Sequence, residues 1–267
     1  MKNYIITGIL AFGMLFSINS KGQSLPEGNS IANKTYTRDD GVSVTRKLTM
    51  ELTDKRGKIR VRETISLRKY FGDERRLAIF YLTPSSVKGT AFLTFDYPEP
   101  SKDDDQWLYL PALRKTRRIS AANRGDYFLG TDLTYEDIKL ETRISKEDYN
   151  YTTIGIETHD GNECYVLEGT PKSSKIAKEL GYSKVKLRVD SKLWMLRKAD
   201  SWDVAGNHLK TVTISDIKEV QGIWTYHQII VKNHKTNHKT VFRISDIDYK
   251  TPLSNSTFSK ETLVNGL

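Results

Sequence analysis

Apolar and polar residues alternate along most of this chain, the pattern expected of antiparallel strands with one buried face. Leu48, Met50 and Leu52 share one face of the first predicted strand, and residues 59–68 alternate in the same way. The tetrapeptide DKRG at 54–57 lies between these two runs. Aspartate and glycine in that position predict a hairpin turn.

The rest of the chain repeats this strand pattern. Residues 77–82 and 91–97 are apolar on both faces and predict central strands, and residues 107–110 predict a further strand. The second half reads as a meander with short turns. Its predicted strands are residues 150–157, 162–169, 184–190, 193–202, 208–219, 223–233 and 239–249.

Helical signals are few. The predicted helices are residues 26–38, a helix that begins after Thr134, residues 172–180 and residues 259–264. Glu136 and Asp137 place acidic groups in the first turn of the second helix, where the helix dipole favours them. Gly181 follows the third helix, at a position where glycine commonly ends one.

About ten or eleven long strands with few helices form a sheet that must hide its edges and its apolar face. A sheet that curls without closing keeps an apolar concave face, and helices over that face enclose a cavity. We therefore expect a mainly β fold, a curved antiparallel half-barrel with a few short helices covering its open mouth. Residues 23–267 contain no repeat or linker that would divide them, which predicts a single domain.

The N-terminus has the features of a secretory signal peptide. Lys2 precedes an apolar run from Tyr4 to Ile18 that is shorter than the roughly 20 residues of a membrane span. Small residues at Ser20 and Gly22 predict cleavage after Gly22, although a retained anchor is the alternative. No cysteine lies near this site, so the protein is not expected to be a lipoprotein itself. The prediction is a periplasmic protein.

The chain is basic, with a formal net charge of +9. Removal of residues 1–22 leaves 40 basic and 33 acidic residues, a net charge of +7. Export excludes nucleic acid as a partner and leaves anionic membrane surfaces, lipid headgroups or an acidic protein. Cys164 is the only cysteine, so no intramolecular disulfide can form.

The sequence carries little that indicates catalysis. It lacks a nucleophile elbow, a zinc-protease motif, a C-x-x-C pair and a phosphate-binding loop. His234 and His238 lie in a lysine-rich hairpin tip, where their spacing does not bring them together on a metal. Acidic pairs such as Glu136 and Asp137 are interpreted as caps and surface charges. We expect no enzyme activity, no metal and no cofactor.

A dense group of basic residues follows the aromatic strand at 107–110. We call it the basic patch: Arg114, Lys115, Arg117, Arg118 and Arg124. It is interpreted as a solvated turn, as a rim that contacts anionic headgroups or an acidic partner, or as one half of internal salt bridges with downstream acids. Arginine's planar guanidinium suits phosphate and carboxylate groups.

Aromatic and aliphatic residues on the predicted strands either fill a closed core or line a lipid cavity. Pockets for lipid chains are concave and apolar with few polar groups. The candidate cavity residues are Phe80, Leu82, Phe92, Phe95, Trp107, Tyr109, Trp194 and Leu196.

Three ordered motifs resemble the outer-membrane lipoprotein-sorting family, which comprises LolA-like periplasmic proteins. The motifs are P-x-x-V-K-G-T-A-F-L at 84–93, W-L-Y-L-P-A-L-R-K at 107–115 followed by R-R-I at 117–119, and G-T-D-L-T-Y-E-D at 130–137. The resemblance covers most of the mature chain. It implies a LolA/LolB-like half-barrel that binds acyl chains without covalent chemistry.

The leading hypothesis is therefore a periplasmic carrier that moves acyl chains of lipoproteins or other lipids toward the outer membrane, with transient contact with the membrane surface. Members of this branch are often linked with inner-membrane exporters of the RND superfamily, which makes such an exporter a candidate partner. The alternative is an accessory subunit that docks on the exporter and carries nothing. That alternative predicts a filled core.

Overall fold

The structure of the protein is a computed structural model that describes residues 24–267. The predicted signal peptide and its cleavage site lie outside the described residues. Thirteen strands form one antiparallel sheet. They are β1 (Ser43–Thr53), β2 (Ile59–Phe71), β3 (Glu74–Thr83), β4 (Ala91–Asp96), β5 (Asp105–Leu110), β6 (Lys115–Ile119), β7 (Tyr149–His159), β8 (Asn162–Pro171), β9 (Tyr182–Asp190), β10 (Leu196–Asp203), β11 (His208–Val220), β12 (Ile223–Asn233) and β13 (His238–Asp248).

Four short α-helices accompany the sheet in this part of the chain. They are α1 (Gly28–Thr37), α2 (Tyr135–Leu140), α3 (Ser174–Leu180) and α4 (Lys260–Asn265). Each helix was expected from the sequence, and every predicted strand overlaps an observed one. The predicted mainly β fold is confirmed.

The helix ends follow from local side-chain chemistry. The hydroxyl of Thr134 accepts a hydrogen bond from the backbone N–H of Asp137 at 3.1 Å, and the Asp137 carboxylate accepts one from the Thr134 N–H at 2.8 Å. This reciprocal capping box fixes the start of α2. Gly181 ends α3 with a φ of 78°, a conformation that glycine adopts without steric cost.

Strand β6 was not predicted. A solvated turn was one of the three interpretations of the basic patch, and it is wrong for Lys115–Ile119, because these residues pair in register with β5. Lys115, Arg117 and Arg118 are exposed on this outermost strand. Charged side chains are typical of edge strands, where they oppose pairing with other chains, and here they conceal the alternation that reveals a strand.

The order of the strands is β6-β5-β4-β3-β2-β1-β13-β12-β11-β10-β9-β8-β7, so the sheet is open at β6 and at β7. These two edge strands are consecutive in the chain. The segment that joins them, residues 120–148, therefore crosses one face of the sheet, and we call it the lid. We call the face that it covers the inner face.

The lid forms part of the main core. Phe128, Leu133 and Ile138 of the lid are buried with side chains from both halves of the sheet. The backbone N–H of Asp132 donates to the hydroxyl of Thr240 on β13 at 3.1 Å. The lid is thus packed on the inner face as a structural layer.

The outer face of β2 to β5 carries a second, smaller core. The C-terminal segment, residues 253–265, packs over it and inserts Phe258 and Leu263. Phe258 contacts Phe71 edge to face, with ring centroids 5.7 Å apart. The ammonium of Lys260 lies 4.5 Å from the centre of the Trp107 ring. Apolar side chains are thus buried on both sides of these strands.

Replacement of Phe258 by alanine should lower the free energy of unfolding by about 3–5 kcal/mol, because it opens a cavity in the outer core. Urea denaturation measures the change. Leu267→Ala is the control, since the side chain of Leu267 is mostly exposed. Equal stability of Phe258→Ala and the wild type would show that the C-terminal segment does not stabilise the sheet.

Asp137→Asn should cost about 3–5 kcal/mol at pH 7, because it leaves the buried ammonium of Lys210 without its carboxylate partner. Burial opposes ionisation of Asp137, but Lys210 and the Thr134 bonds outweigh it and lower the Asp137 pKa. This stabilisation is therefore present above the ordinary carboxyl pKa of about 4 and is lost as pH falls through the lowered value.

Urea denaturation from pH 7 to pH 3 tests this, and the difference between Asp137→Asn and the wild type should shrink with acidity. Asp216→Asn is the control, since Asp216 pairs at 2.7 Å with Lys218 on the exposed surface. That variant should lose no more than about 1 kcal/mol. A loss for Asp137→Asn that is no larger than the control loss would contradict the assignment.

Candidate functional site

A mainly apolar cavity, which we call the principal cavity, lies between the lid and the inner face of the sheet; it is not the largest, since a more polar cavity of about 300 Å³ lies beside Asp104 and Lys139. The volume of the principal cavity is about 100 Å³. Most of its walls are apolar and come from strands β7, β9, β10, β11 and β12, from the end of α3 and from the lid. The apolar lining residues are Leu133, Leu140, Ile144, Tyr149, Tyr151, Leu180, Tyr182, Val185, Leu187, Leu196, Ala199, Val212, Ile214 and Ile229.

This volume is small for a ligand site. An engineered apolar cavity of about 150 Å³ binds benzene, and pockets for drug-sized ligands usually measure about 300–1,000 Å³. A second cavity of about 40 Å³ lies beside the first under the lid, and Leu133, Asp137, Glu141 and Ile229 line both. Together the two cavities mark a mainly apolar seam between lid and sheet, and an acyl chain would fit there only after the lid moves.

Buried ion pairs hold the lid on this seam. Glu141, directly after α2, contacts arginines of three adjacent strands, which we call the arginine triad: Arg46 of β1, Arg68 of β2 and Arg75 of β3. Each triad side chain is at least 96% buried. In the same strands, Thr64 and Ser66 also face inward and are buried. The inner wall of β1 to β3 is therefore polar at this point.

A second ionic group fixes the other side of the lid. Lys139 contacts Asp104 and lies 2.8 Å from Glu136. Burial opposes the charge on Lys139, but the surrounding carboxylates outweigh it and raise the Lys139 pKa. Burial is the largest influence on Glu136 and raises its pKa. A lid held by buried charges opens only when those charges find new partners or water.

The candidate cavity residues divide between the two faces of the sheet. Leu196 lines the principal cavity, and Phe92 is buried in the inner core against Phe128 of the lid at 5.1 Å between ring centroids. Trp194 packs at the edge of the inner core and stacks on Tyr165. For these three residues, contact with a ligand stays a prediction.

The other five candidates lie elsewhere. Phe80, Phe95, Trp107 and Tyr109 belong to the outer core beneath the C-terminal segment, and Leu82 is partly exposed. Strand alternation shows which side chains share a face of the sheet, but it does not show which of the two faces the lid covers. A role of these five in ligand binding also stays a prediction.

The basic patch divides into two environments. Arg114, Lys115, Arg117 and Arg118 are exposed on or beside β6, and Arg118 pairs with Asp105 at 2.6 Å. Arg124 instead lies in the lid, where it donates to Asp148 at 2.8 Å and to Glu179 of α3 at 3.2 Å. Arg124 therefore joins the lid to α3, and the other four residues present charge to solvent.

Three of the histidines, His208, His234 and His238, contact neighbouring side chains. His238 lies 2.6 Å from the carboxylate of Asp132 in the lid, and the His208 and His234 rings lie 4.3 Å apart. Within residues 24–267, no group of three or more histidine, cysteine or acidic side chains is arranged to hold a metal ion. Burial raises the pKa of the Cys164 thiol to about 11, which keeps it protonated at neutral pH.

Sequence analysis missed the arginine triad and its partner Glu141. In sequence the three arginines look like ordinary polar positions of alternating strands. They become a group only through the register that places β1, β2 and β3 side by side. No helix among residues 24–267 has the length and apolar character needed to span a membrane.

The sequence and the fold of this chain are similar to those of known proteins. A family model described as "Uncharacterized protein" matches residues 72–265. A crystal structure of a DUF1329 family protein from Desulfovibrio piger is 30% identical, with a TM-score of 0.80, and the match covers 88% of this chain and 97% of that one. An outer-membrane lipoprotein-sorting protein domain from Vibrio parahaemolyticus is 29% identical, with a TM-score of 0.80 over 89% and 98% of the two chains.

A LolA superfamily protein from Nitrosomonas europaea shares the fold, with a TM-score of 0.65 at 22% identity over 89% of this chain and 99% of that one. No curated protein matches the sequence. The LolA-like neighbours fit the open, curved half-barrel seen here. From these matches, the chain belongs to the DUF1329 family, and it is similar in sequence and fold to an outer-membrane lipoprotein-sorting protein domain.

Proposed function

We propose that this protein is a periplasmic carrier that binds the acyl chains of lipoproteins or other lipids between the lid and the inner face and moves them toward the outer membrane. The apolar seam beneath a polar-anchored lid is the observation that carries the proposal. The relationship to lipoprotein-sorting proteins supports it. Binding would require no covalent chemistry, cofactor or metal.

Burial of an acyl chain supplies the binding energy. At about 25 cal/mol per Å², removal of several hundred Å² of chain surface from water is worth on the order of 10 kcal/mol. Part of this offsets the displacement of the lid from the inner core and the ordering of the chain. Uptake and release then depend on the difference between two free energies: that gained by burying the acyl chain and that lost by displacing the lid.

The proposal also covers export of the protein and delivery of its cargo. Cleavage after Gly22 would leave residues 23–267 as a single mature domain in the periplasm. The exposed part of the basic patch would contact anionic headgroups or an acidic surface of an RND-type exporter while the cargo is transferred. Arg114 lies directly before the edge strand β6, Lys115, Arg117 and Arg118 lie on it, and all four are exposed.

A non-transporting accessory subunit of such an exporter is the second candidate. The small volume of the two apolar cavities favours this candidate, because a docking subunit that carries no lipid is expected to have a filled inner core. The two candidates differ in whether the protein ever contains lipid.

Lipid extraction and mass spectrometry of residues 23–267, purified from periplasm without detergent, should reveal an acylated species at a stoichiometry near one. Ala199→Phe should abolish it, because the added ring fills the principal cavity that Ala199 lines. Ala205→Phe, on the exposed turn after β10, is the matched control and should retain the lipid. Lipid-free wild-type protein that also refuses added palmitate would favour the accessory subunit.

Arg117→Glu combined with Arg118→Glu should weaken binding to vesicles that contain anionic lipid, because it reverses two exposed charges of the basic patch. Vesicle sedimentation at low and high salt measures the loss. Lys55→Glu with Arg56→Glu makes the same charge change in the exposed β1–β2 turn and serves as control. If the folded patch variant binds vesicles as tightly as the wild type, the patch does not contact the membrane.

A further inference from the structure

We propose that the arginine triad is a binding site for the anionic head group of an amphiphilic ligand, and that Glu141 occupies this site while the lid is closed. The inference rests on the proposed carrier function and names the class of cargo: a single-chain or multi-chain lipid whose carboxylate or phosphate enters the half-barrel.

The contacts of Glu141 show that the site accepts an anion. One carboxylate oxygen contacts Arg46 and the other contacts Arg75, while Nε of Arg68 lies 3.8 Å away. The guanidinium groups come from three adjacent strands, so the rigid sheet sets their positions. Guanidinium groups bind carboxylate and phosphate through parallel N–H donors, which makes the two head groups chemically related ligands.

The triad carries more positive charge and more donors than the lid neutralises. Among residues 24–267, Asp40 is the one carboxylate besides Glu141 that pairs with the triad, at 3.2 Å from Arg68. Backbone carbonyls accept some of the remaining hydrogen bonds. Arg68 donates to the carbonyl of Gly41 at 2.6 Å, and Arg75 donates to that of Lys139 at 2.6 Å. The Nε atoms of all three arginines remain buried without a hydrogen-bond acceptor. These unused donors could be satisfied by a larger or more charged anion.

A buried cluster of this kind is costly and is poorly explained by stability. Buried ion pairs can often be replaced by apolar residues without loss, because desolvation offsets their attraction. Three buried arginines grouped around one carboxylate beside the seam therefore point to recognition of an anion. The lid carboxylate keeps the cluster compensated when no ligand is bound.

The position of the cluster suits an amphiphile better than a free ion. Glu141 lines both the principal cavity and the smaller cavity, and Arg46 lines the smaller one. A head group at the triad would therefore place its chain directly in the apolar seam. Head group and chain are recognised by adjoining parts of one site.

The backbone conformation of Glu141 favours its displacement from the triad by a ligand. It follows the last residue of α2 with φ 57° and ψ −103°, a conformation uncommon for residues that carry a side chain. Its contacts with the triad hold it there. A ligand carboxylate that takes over those contacts would release Glu141 and with it the end of the lid.

Calorimetric binding of palmitate, 1-palmitoyl lysophosphatidate and hexadecanol to delipidated protein tests the proposal. At least one of the two anionic lipids should bind ten times more tightly than neutral hexadecanol, and the preferred one names the head group. Arg46→Met should remove this preference and leave hexadecanol binding unchanged. Glu141→Gln should tighten anionic-lipid binding at least tenfold, because it removes the competing carboxylate.

Glu51→Gln is the control for Glu141→Gln, since Glu51 pairs with Arg243 at 3.0 Å on the exposed side of the sheet. If Glu141→Gln does not fold, the wild type and Arg46→Met still decide the question. Equal affinity for anionic and neutral lipids in both proteins would overturn the anion site alone. Inorganic phosphate that binds as tightly as the lipids would overturn the amphiphile assignment, and no binding of any lipid would overturn the carrier function as well.

Discussion

The connection between the two open edges of the sheet is the constraint on which the rest of the structure depends. Strands β6 and β7 are neighbours in sequence but lie at opposite ends of a thirteen-stranded sheet, so residues 120–148 must cross its inner face. This crossing buries Phe128, Leu133 and Ile138 and makes the lid part of the core. The protein therefore has an inner face that is filled by its own chain unless something of similar character replaces it.

The lid differs from an ordinary core layer in the chemistry of its anchors. Its apolar residues contribute burial that an acyl chain could reproduce, and its charged residues make contacts that an anionic head group could reproduce. Asp137 pairs with Lys210 on one side of the seam, and Glu141 pairs with the arginine triad on the other. In our proposal, the closed lid occupies the place of a lipid, and this would explain why the two apolar cavities are small.

Local chemistry made much of the fold predictable from sequence. Thr134 and Gly181 marked helix ends, and the DKRG turn and the alternation of β1 and β2 marked a hairpin, because each depends on residues close in the chain. Strand β6 was missed because exposed charge hides its pairing. The candidate site was harder to predict from sequence. In β2 the polar residues Thr64, Ser66 and Arg68 face the buried inner side, whereas Leu67 lies in the outer core. Only the path of the lid and the register of three strands reveal that arrangement.

Locking the lid tests the central claim most directly. The Thr240 hydroxyl of β13 accepts from the backbone N–H of Asp132 in the lid at 3.1 Å and donates to the Asp132 carboxylate at 2.6 Å, so Asp132→Cys with Thr240→Cys is the pair chosen to cross-link the lid to the sheet. The native Cys164 is buried, with its pKa raised, and should not compete. The measurement is palmitate uptake before and after reduction. We expect the oxidised protein to take up none and the reduced protein to bind normally. Equal uptake by both forms would contradict the claim that the chain enters beneath the lid.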